Sequence, residues 1–157
     1  MSRHKPIKAK DKYFGHYKEV VTDIAQGISS WDQEAFLVVT LNDSNFEIGQ
    51  HMVALGDYRD CTPNISIIMN RIIMDKADKF VIAHNHNRGV RAFSKDDFMI
   101  TISLLCVSDL MRIELVDHLL FPYEKEPLSM RQSHPKLFDY AWANEFRTMI
   151  KNYVPKC

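Results

Sequence analysis

From Ala35 onward, continuous apolar runs trade places with stripes that repeat every three or four residues, and the exchange predicts strands and helices in turn. Ala35 to Leu41, AFLVVTL, is rich in β-branched and aromatic residues. Asn42-Asp43-Ser44-Asn45 is turn chemistry, and a second run begins at Phe46. Together they predict a hairpin whose second strand passes Gly49, a candidate bulge, and reaches about Leu55. Thr62-Pro63 offers a helix start, threonine at the cap and proline at the first helical position, for a helix over Ile65 to Ala77. Its wide apolar face, Ile65, Ile68, Met69, Ile72 and Ile73, suits packing on a sheet. A strand over Lys79 to His84, a helix over Ser94 to Leu110 and a strand over Arg112 to Phe121 follow. Upstream, Val20, Val21, Ile24, Ala25 and Ile28 form one stripe of a helix from Tyr17 to Ile28, ended by Gly27 and Ser29-Ser30. The expected fold class is α/β, layered in the α+β manner, a mixed β-sheet flanked by helices.

After Pro122 the chain turns charged and proline-containing, then Pro135 to Tyr153 reads as a helix. Leu137, Phe138, Ala141, Trp142, Phe146, Met149, Ile150 and Tyr153 give that helix a broad aromatic stripe. A core-covering helix is the ordinary reading, and a homodimer or partner surface is the sharper one. The expected organisation is therefore a flexible basic arm over residues 1–13, one domain over residues 14–122, and an extension over residues 123–157. A length of 157 residues suits one ordinary domain and not two.

Twenty basic and twenty acidic residues cancel, so no global field draws the molecule to nucleic acid or anionic lipid. Local asymmetry is confined to Arg3, Lys5, Lys8, Lys10, Lys12 and Lys18 against Asp11. That arm is either a solvated terminus or a weakly supported contact for nucleic acid. No apolar segment of the secretory kind opens the chain and no run approaches a membrane span, so no membrane partner and a cytoplasmic location are expected. Cys61, Cys106 and Cys157 are odd in number and scattered, which excludes a disulfide framework or a C-x-x-C zinc knuckle.

The chemistry concentrates in Val81 to Asp97, VIAHNHNRGVRAFSKDD. His84 and His86 follow a short apolar run, and side chains two apart on an extended segment share a face. Both imidazoles can then reach one ion, with Asn85 turned away. Ser94-x-x-Asp97 before an apolar stripe is a capping-box-like helix start, which puts Asp97 in the first turn, facing the histidine loop. Catalytic zinc takes three protein ligands and keeps a fourth position for water, and His84, His86 and Asp97 make such a set. A carboxylate outside that set must take the water's proton, and Glu19, Glu34, Glu47 and Glu114 are all candidates on residue type alone.

His84-x-His86, seven residues, then Ser94-x-x-Asp97, with a glutamate well upstream, resembles the JAMM signature of the JAB/MPN metallopeptidases. Within them the chain is most similar to the RadC-like branch. His84-Asn85-His86 matches its loop, Val116-Asp117-His118 its later Asp-His pair, and Gln33-Glu34-Ala35-Phe36 its upstream Gln-Glu step. The helix after Thr62-Pro63 and the threonine at Thr101 also have counterparts there. The likeness covers about Trp31 to Phe121 and implies an MPN/JAB-like fold with cytidine-deaminase-like layering. It implies Zn2+ held by His84, His86 and Asp97, Glu34 as base, and Ser94 orienting the loop or donating to the developing oxyanion. Asp117 and His118 take supporting or packing places. Asn87-Arg88-Gly89 and Phe93 depart from the family's usual loop, beside the ligands and not on them.

The resemblance implies a zinc hydrolase that cleaves a peptide or isopeptide bond, such as one joining a ubiquitin-like modifier or a protein tail to a lysine. The alternative is a DNA-repair-associated or DNA-binding protein, after the role for which the RadC-like branch was named, and a non-catalytic scaffold is a third reading. A zinc nucleobase deaminase needs H-x-E and P-C-x-x-C, and the chain has neither. The contiguous letters His84-Asn85-His86 are not an HNH nuclease, whose residues lie on separate parts of a ββα unit.

Overall fold

The computed structural model describes residue 28, residues 32–56 and residues 63–153. The basic arm, the expected helix before Ile28 and the expected cap at Thr62 lie outside the described residues.

Strands β1 (Glu34–Leu41) and β2 (Glu47–Gly56) form the expected hairpin. Its turn closes on Asn42, whose side-chain oxygen accepts the Phe46 amide at 2.9 Å, while Asn45 takes the left-handed conformation at φ 65°. The register shifts between Thr40 and Leu41, opposite Gly49 and Glu47. A Cβ on Gly49 would stand 2.7 Å from Asp75 Oδ2, so a side chain here would push that carboxylate off the Thr40 hydroxyl and the His51 ring that it holds.

Helix α1 (Ile65–Met74) is capped by Asn64, whose side chain accepts the Ser66 amide at 2.9 Å. The expected start at Thr62-Pro63 is thus corrected: Pro63 precedes the cap. The helix also stops before Ala77, because Lys76 turns left-handed at φ 52° and the Ala77 amide donates back to Ile72 O at 3.1 Å. Of the expected stripe, Ile68, Met69 and Ile72 are buried, whereas Ile73 is 52% exposed.

Strand β3 (Lys79–His86) runs two residues past its expected end, so both histidines belong to it. Helix α2 (Lys95–Met111) ends on the left-handed Arg112, which moves the start of β4 (Glu114–Pro122) beyond the expected Arg112. Strand β5 (Leu128–Ser129) and a short helix α3 (Met130–Ser133) follow. The expected helix over Pro135 to Tyr153 is two pieces, a 3-10 turn at Pro135–Leu137 and helix α4 (Ala141–Tyr153). Between them Tyr140 is left-handed at φ 56°, and the Trp142 indole donates to Leu137 O at 3.0 Å.

The strands form one mixed sheet in the order β2-β1-β3-β4-β5, with β3 and β4 parallel and every other pair antiparallel. A parallel pair needs a crossover, and α2 supplies it. Phe36, Val38, Phe80 and Ile82 face one core with Ile68 and Ile72 of α1 and Leu104 and Leu105 of α2. Ala35, Leu37, Val39, Val81 and Ala83 face a second core on the other side, with Ile28 and Val116. Burial on both faces explains why β1 and β3 read as continuous apolar runs. Met130 and Phe138 join the first core, so the chain beyond Pro122 packs on the same body. The architecture is the mixed α/β layering expected. No helix among the described residues is long and apolar enough to cross a membrane.

Candidate metal centre

The site stands where β3 ends beside the start of β1, and the α2 N-terminus faces it. His84 Nε2 lies 3.1 Å from His86 Nε2 and 3.0 Å from Asp97 Oδ1, and His86 Nε2 lies 3.7 Å from Asp97 Oδ2. The full capping box forms: Ser94 Oγ accepts the Asp97 amide at 3.1 Å, and the Ser94 amide donates to Asp97 Oδ2 at 2.6 Å. One motif therefore starts the helix and aims a carboxylate at the imidazoles.

The protons in this cluster follow from its partners. A carbonyl oxygen only accepts, so Thr101, 2.6 Å from Asp97 O, must spend its hydroxyl hydrogen there. Thr101 Oγ1 is then an acceptor for His118 Nδ1–H at 2.6 Å. His118 Nε2 in turn accepts from His84 Nδ1–H at 2.8 Å. His86 Nδ1 donates to Val90 O at 3.0 Å. With one proton on each ring, both Nε2 atoms are left with lone pairs pointing at a carboxylate. Burial holds the His118 imidazole well below its ordinary pKa, reinforced by His84, so it stays neutral. Burial pushes the Asp97 carboxyl up, but with a proton on His84 Nε2 in place of a metal the hydrogen bond and charge from His84, then the Ser94 amide, outweigh it and hold Asp97 well below the usual carboxylate range. Acceptors packed this closely repel one another unless a cation or a proton stands among them, and this donor set fits a metal ion.

His84, Asp97 and His118 together also offer three ligand atoms within 4.8 Å of one another, a triad able to hold a metal. His118, however, faces the Nδ1 side of His84, while His86 faces its Nε2 side together with Asp97.

Glu34, at the first residue of β1, is buried. Burial raises its pKa, the charge of His86 lowers it, and Asp97 raises it again, so the carboxyl lies within the field of the cluster. Asp117 does not face the imidazoles. Its Oδ1 accepts the His118 and Arg131 amides at 2.8 and 2.9 Å, and its Oδ2 accepts from Ser129 Oγ at 2.6 Å, tying β4 to the β5–α3 corner. Burial pushes it up to about 6 against those bonds.

Some neighbours carried no clear signal in the sequence. Phe36 stacks on His84 with ring centroids 5.8 Å apart, and Phe93 packs at 5.4 Å from His118. These apolar walls make each imidazole proton dearer to leave unpaired. Asn85 turns from the imidazoles, as its strand position implies, but is not idle: it bonds to β1.

A model of the RadC-like JAB domain matches residues 15–135. The chain belongs to this family. Among relatives of the RadC-like JAB domain, a UPF0758 protein of Gloeothece citriformis is 32% identical over 89 residues, 57% of this chain and 37% of that protein. A UPF0758 protein of Bacillus licheniformis is 28% identical over 120 residues, 76% of this chain and 54% of that one. One of Trichormus variabilis is 30% identical over 100 residues, 64% of this chain and 41% of that protein. The chain thus spans from 37% to 54% of the length of these relatives. The matched region contains the whole cluster, from Glu34 to Asp117 and His118, together with β5 and α3.

Proposed function

We propose that this RadC-like JAB domain is a zinc-dependent hydrolase of the JAMM type that cleaves a peptide or isopeptide bond. The observation that carries the reading is the convergence of His84 Nε2, His86 Nε2 and Asp97, with both Nδ1 protons committed to other acceptors. His84, His86 and Asp97 hold the metal, and His118 sets the tautomer of His84 from behind. Zinc, when bound, makes water acidic enough to attack at neutral pH and polarises the carbonyl. Glu34 takes the attacking water's proton and returns it to the leaving amine. Ser94 accepts the Asp97 amide, which leaves its hydroxyl hydrogen to donate to the developing oxyanion. The substrate is a protein or peptide, with a ubiquitin-like modifier or tail on a lysine as one class.

Elemental analysis of the purified chain tests this reading. Wild type should carry about one zinc per chain and His84→Ala with His86→Ala almost none. Equal, near-zero zinc in both would sink it. The DNA-associated alternative predicts instead a DNA affinity that falls steeply with salt and disappears when residues up to Lys12 are removed.

A further inference from the structure

We propose that Asn85, assisted by Asn87, is the positioning residue that sets where the Glu34 carboxyl stands over the metal centre, a step that rests on Glu34 being the base. The backbone ladder between β1 and β3 stops at Phe36↔His84, two pairs before Glu34. Strand β3 nonetheless continues beside β4, through Asn85↔Phe121 and His86↔Pro122. The backbone at Gln33 and Ala35, on either side of the first residue of β1, therefore lacks a β3 backbone partner just where Glu34 must be held.

The Asn85 carboxamide fills that gap. Its oxygen accepts the Ala35 amide at 2.6 Å and its nitrogen donates to Gln33 O at 3.0 Å, so one side chain grips the backbone on both sides of Glu34. A carboxamide carries the same donor and acceptor as a peptide group, and here it stands in for one. Asn85 is fully buried, and both of its polar atoms are satisfied by the backbone on either side of Glu34. Two residues on, the Asn87 amide donates to Asp32 O at 2.6 Å, extending the grip. The alternation of the strand thus sorts His84, Asn85 and His86 into two jobs, and Asn87 adds its grip from the turn just past the strand. Imidazoles at the even positions face the metal, and carboxamides at the odd positions register the strand that brings the base.

The test uses the full chain with zinc as the only ligand, and three measurements. They are zinc stoichiometry, hydrogen exchange at the Ala35 amide, and the three-bond couplings that report the Glu34 side-chain rotamer. In Asn85→Ala, zinc content should match wild type, Ala35 exchange should quicken at least about tenfold, and Glu34 should average over rotamers. Asn85→Asp keeps the acceptor and loses the donor. It should retain slow Ala35 exchange while Glu34 still averages, and it decides the matter if Asn85→Ala does not fold. Unchanged Ala35 exchange and an unchanged single Glu34 rotamer in the variants would overturn the proposal. Wild type without zinc, but with Ala35 and Glu34 still dependent on Asn85, would leave the positioning role standing and remove the zinc reading instead.

Discussion

Thr101→Val is the sharpest probe of the proton assignment at the centre. Thr101 is fully buried and joins Asp97 O to His118 Nδ1, both at 2.6 Å. Valine keeps the volume and removes the hydroxyl, so His118 Nδ1–H is left buried without an acceptor, at a cost of about 1–3 kcal/mol. His118 can escape that cost only by moving its proton to Nε2. It then donates to His84 Nδ1, and the His84 proton shifts to Nε2, where it occupies the lone pair that a metal would take. The first route lowers stability by about 1–3 kcal/mol, and the second weakens zinc binding by up to roughly the same amount, on the order of 10- to 100-fold in Kd. Competition with a chromophoric chelator reads the zinc affinity, and urea unfolding of the metal-free protein reads the stability. If Thr101→Val binds zinc as wild type does and unfolds at the same urea concentration, the chain Thr101–His118–His84 does not set the tautomer and the argument fails.

Other changes separate the roles of the buried carboxylates and of the hairpin. Glu34→Gln should keep its zinc and lose hydrolysis by on the order of 10²-fold or more, so a variant that still turns over a peptide or isopeptide substrate at the wild-type rate would remove Glu34 as the base. Asp117 is pushed up to about 6 when folded, above the unfolded value of about 3.9, so it binds its proton more tightly in the native state. Its contribution to stability is full below the unfolded value and is lost as pH rises through about 6. Unfolding curves across that window should therefore fall less steeply for Asp117→Asn than for wild type, and identical slopes would contradict the assignment. Asp117→Ala leaves the His118 and Arg131 amides and the Ser129 hydroxyl without their acceptor and should cost on the order of 3 kcal/mol in denaturant unfolding. Gly49→Ala brings a methyl to 2.7 Å from Asp75 Oδ2 and should destabilise the hairpin by about 1–3 kcal/mol, measured the same way.

The sequence by itself determined the elements whose cause is local. Strands β1, β3 and β4 are buried on both faces, so their composition alone marks them. His84 and His86 share a face because a strand repeats every two residues, and Ser94 and Asp97 meet because a capping box spans three. Local pattern failed where non-glycine residues turn left-handed. Lys76 and Tyr140 end their segments without glycine, so periodicity ran Ile65 on to Ala77 and Pro135 on to Tyr153.

Only the tertiary structure decided which distant groups share the centre. Residue type left Glu19, Glu34, Glu47 and Glu114 level, and family resemblance pointed to Glu34. The fold brings that residue into the field of His86 and Asp97, because β1 lies next to β3 in the sheet. His118 faces His84 across 34 positions because β3 and β4 are parallel neighbours, and Thr101 reaches His118 because the α2 crossover lies over both. The same is true of Asn85, whose partners are 50 and 52 positions away, at the start of β1 and just before it. Proton positions in a buried network depend on every partner at once, and those partners come from different strands and helices. The sequence therefore carries the candidate ligands in one short motif, while their tautomers and the placing of the candidate base belong to the sheet.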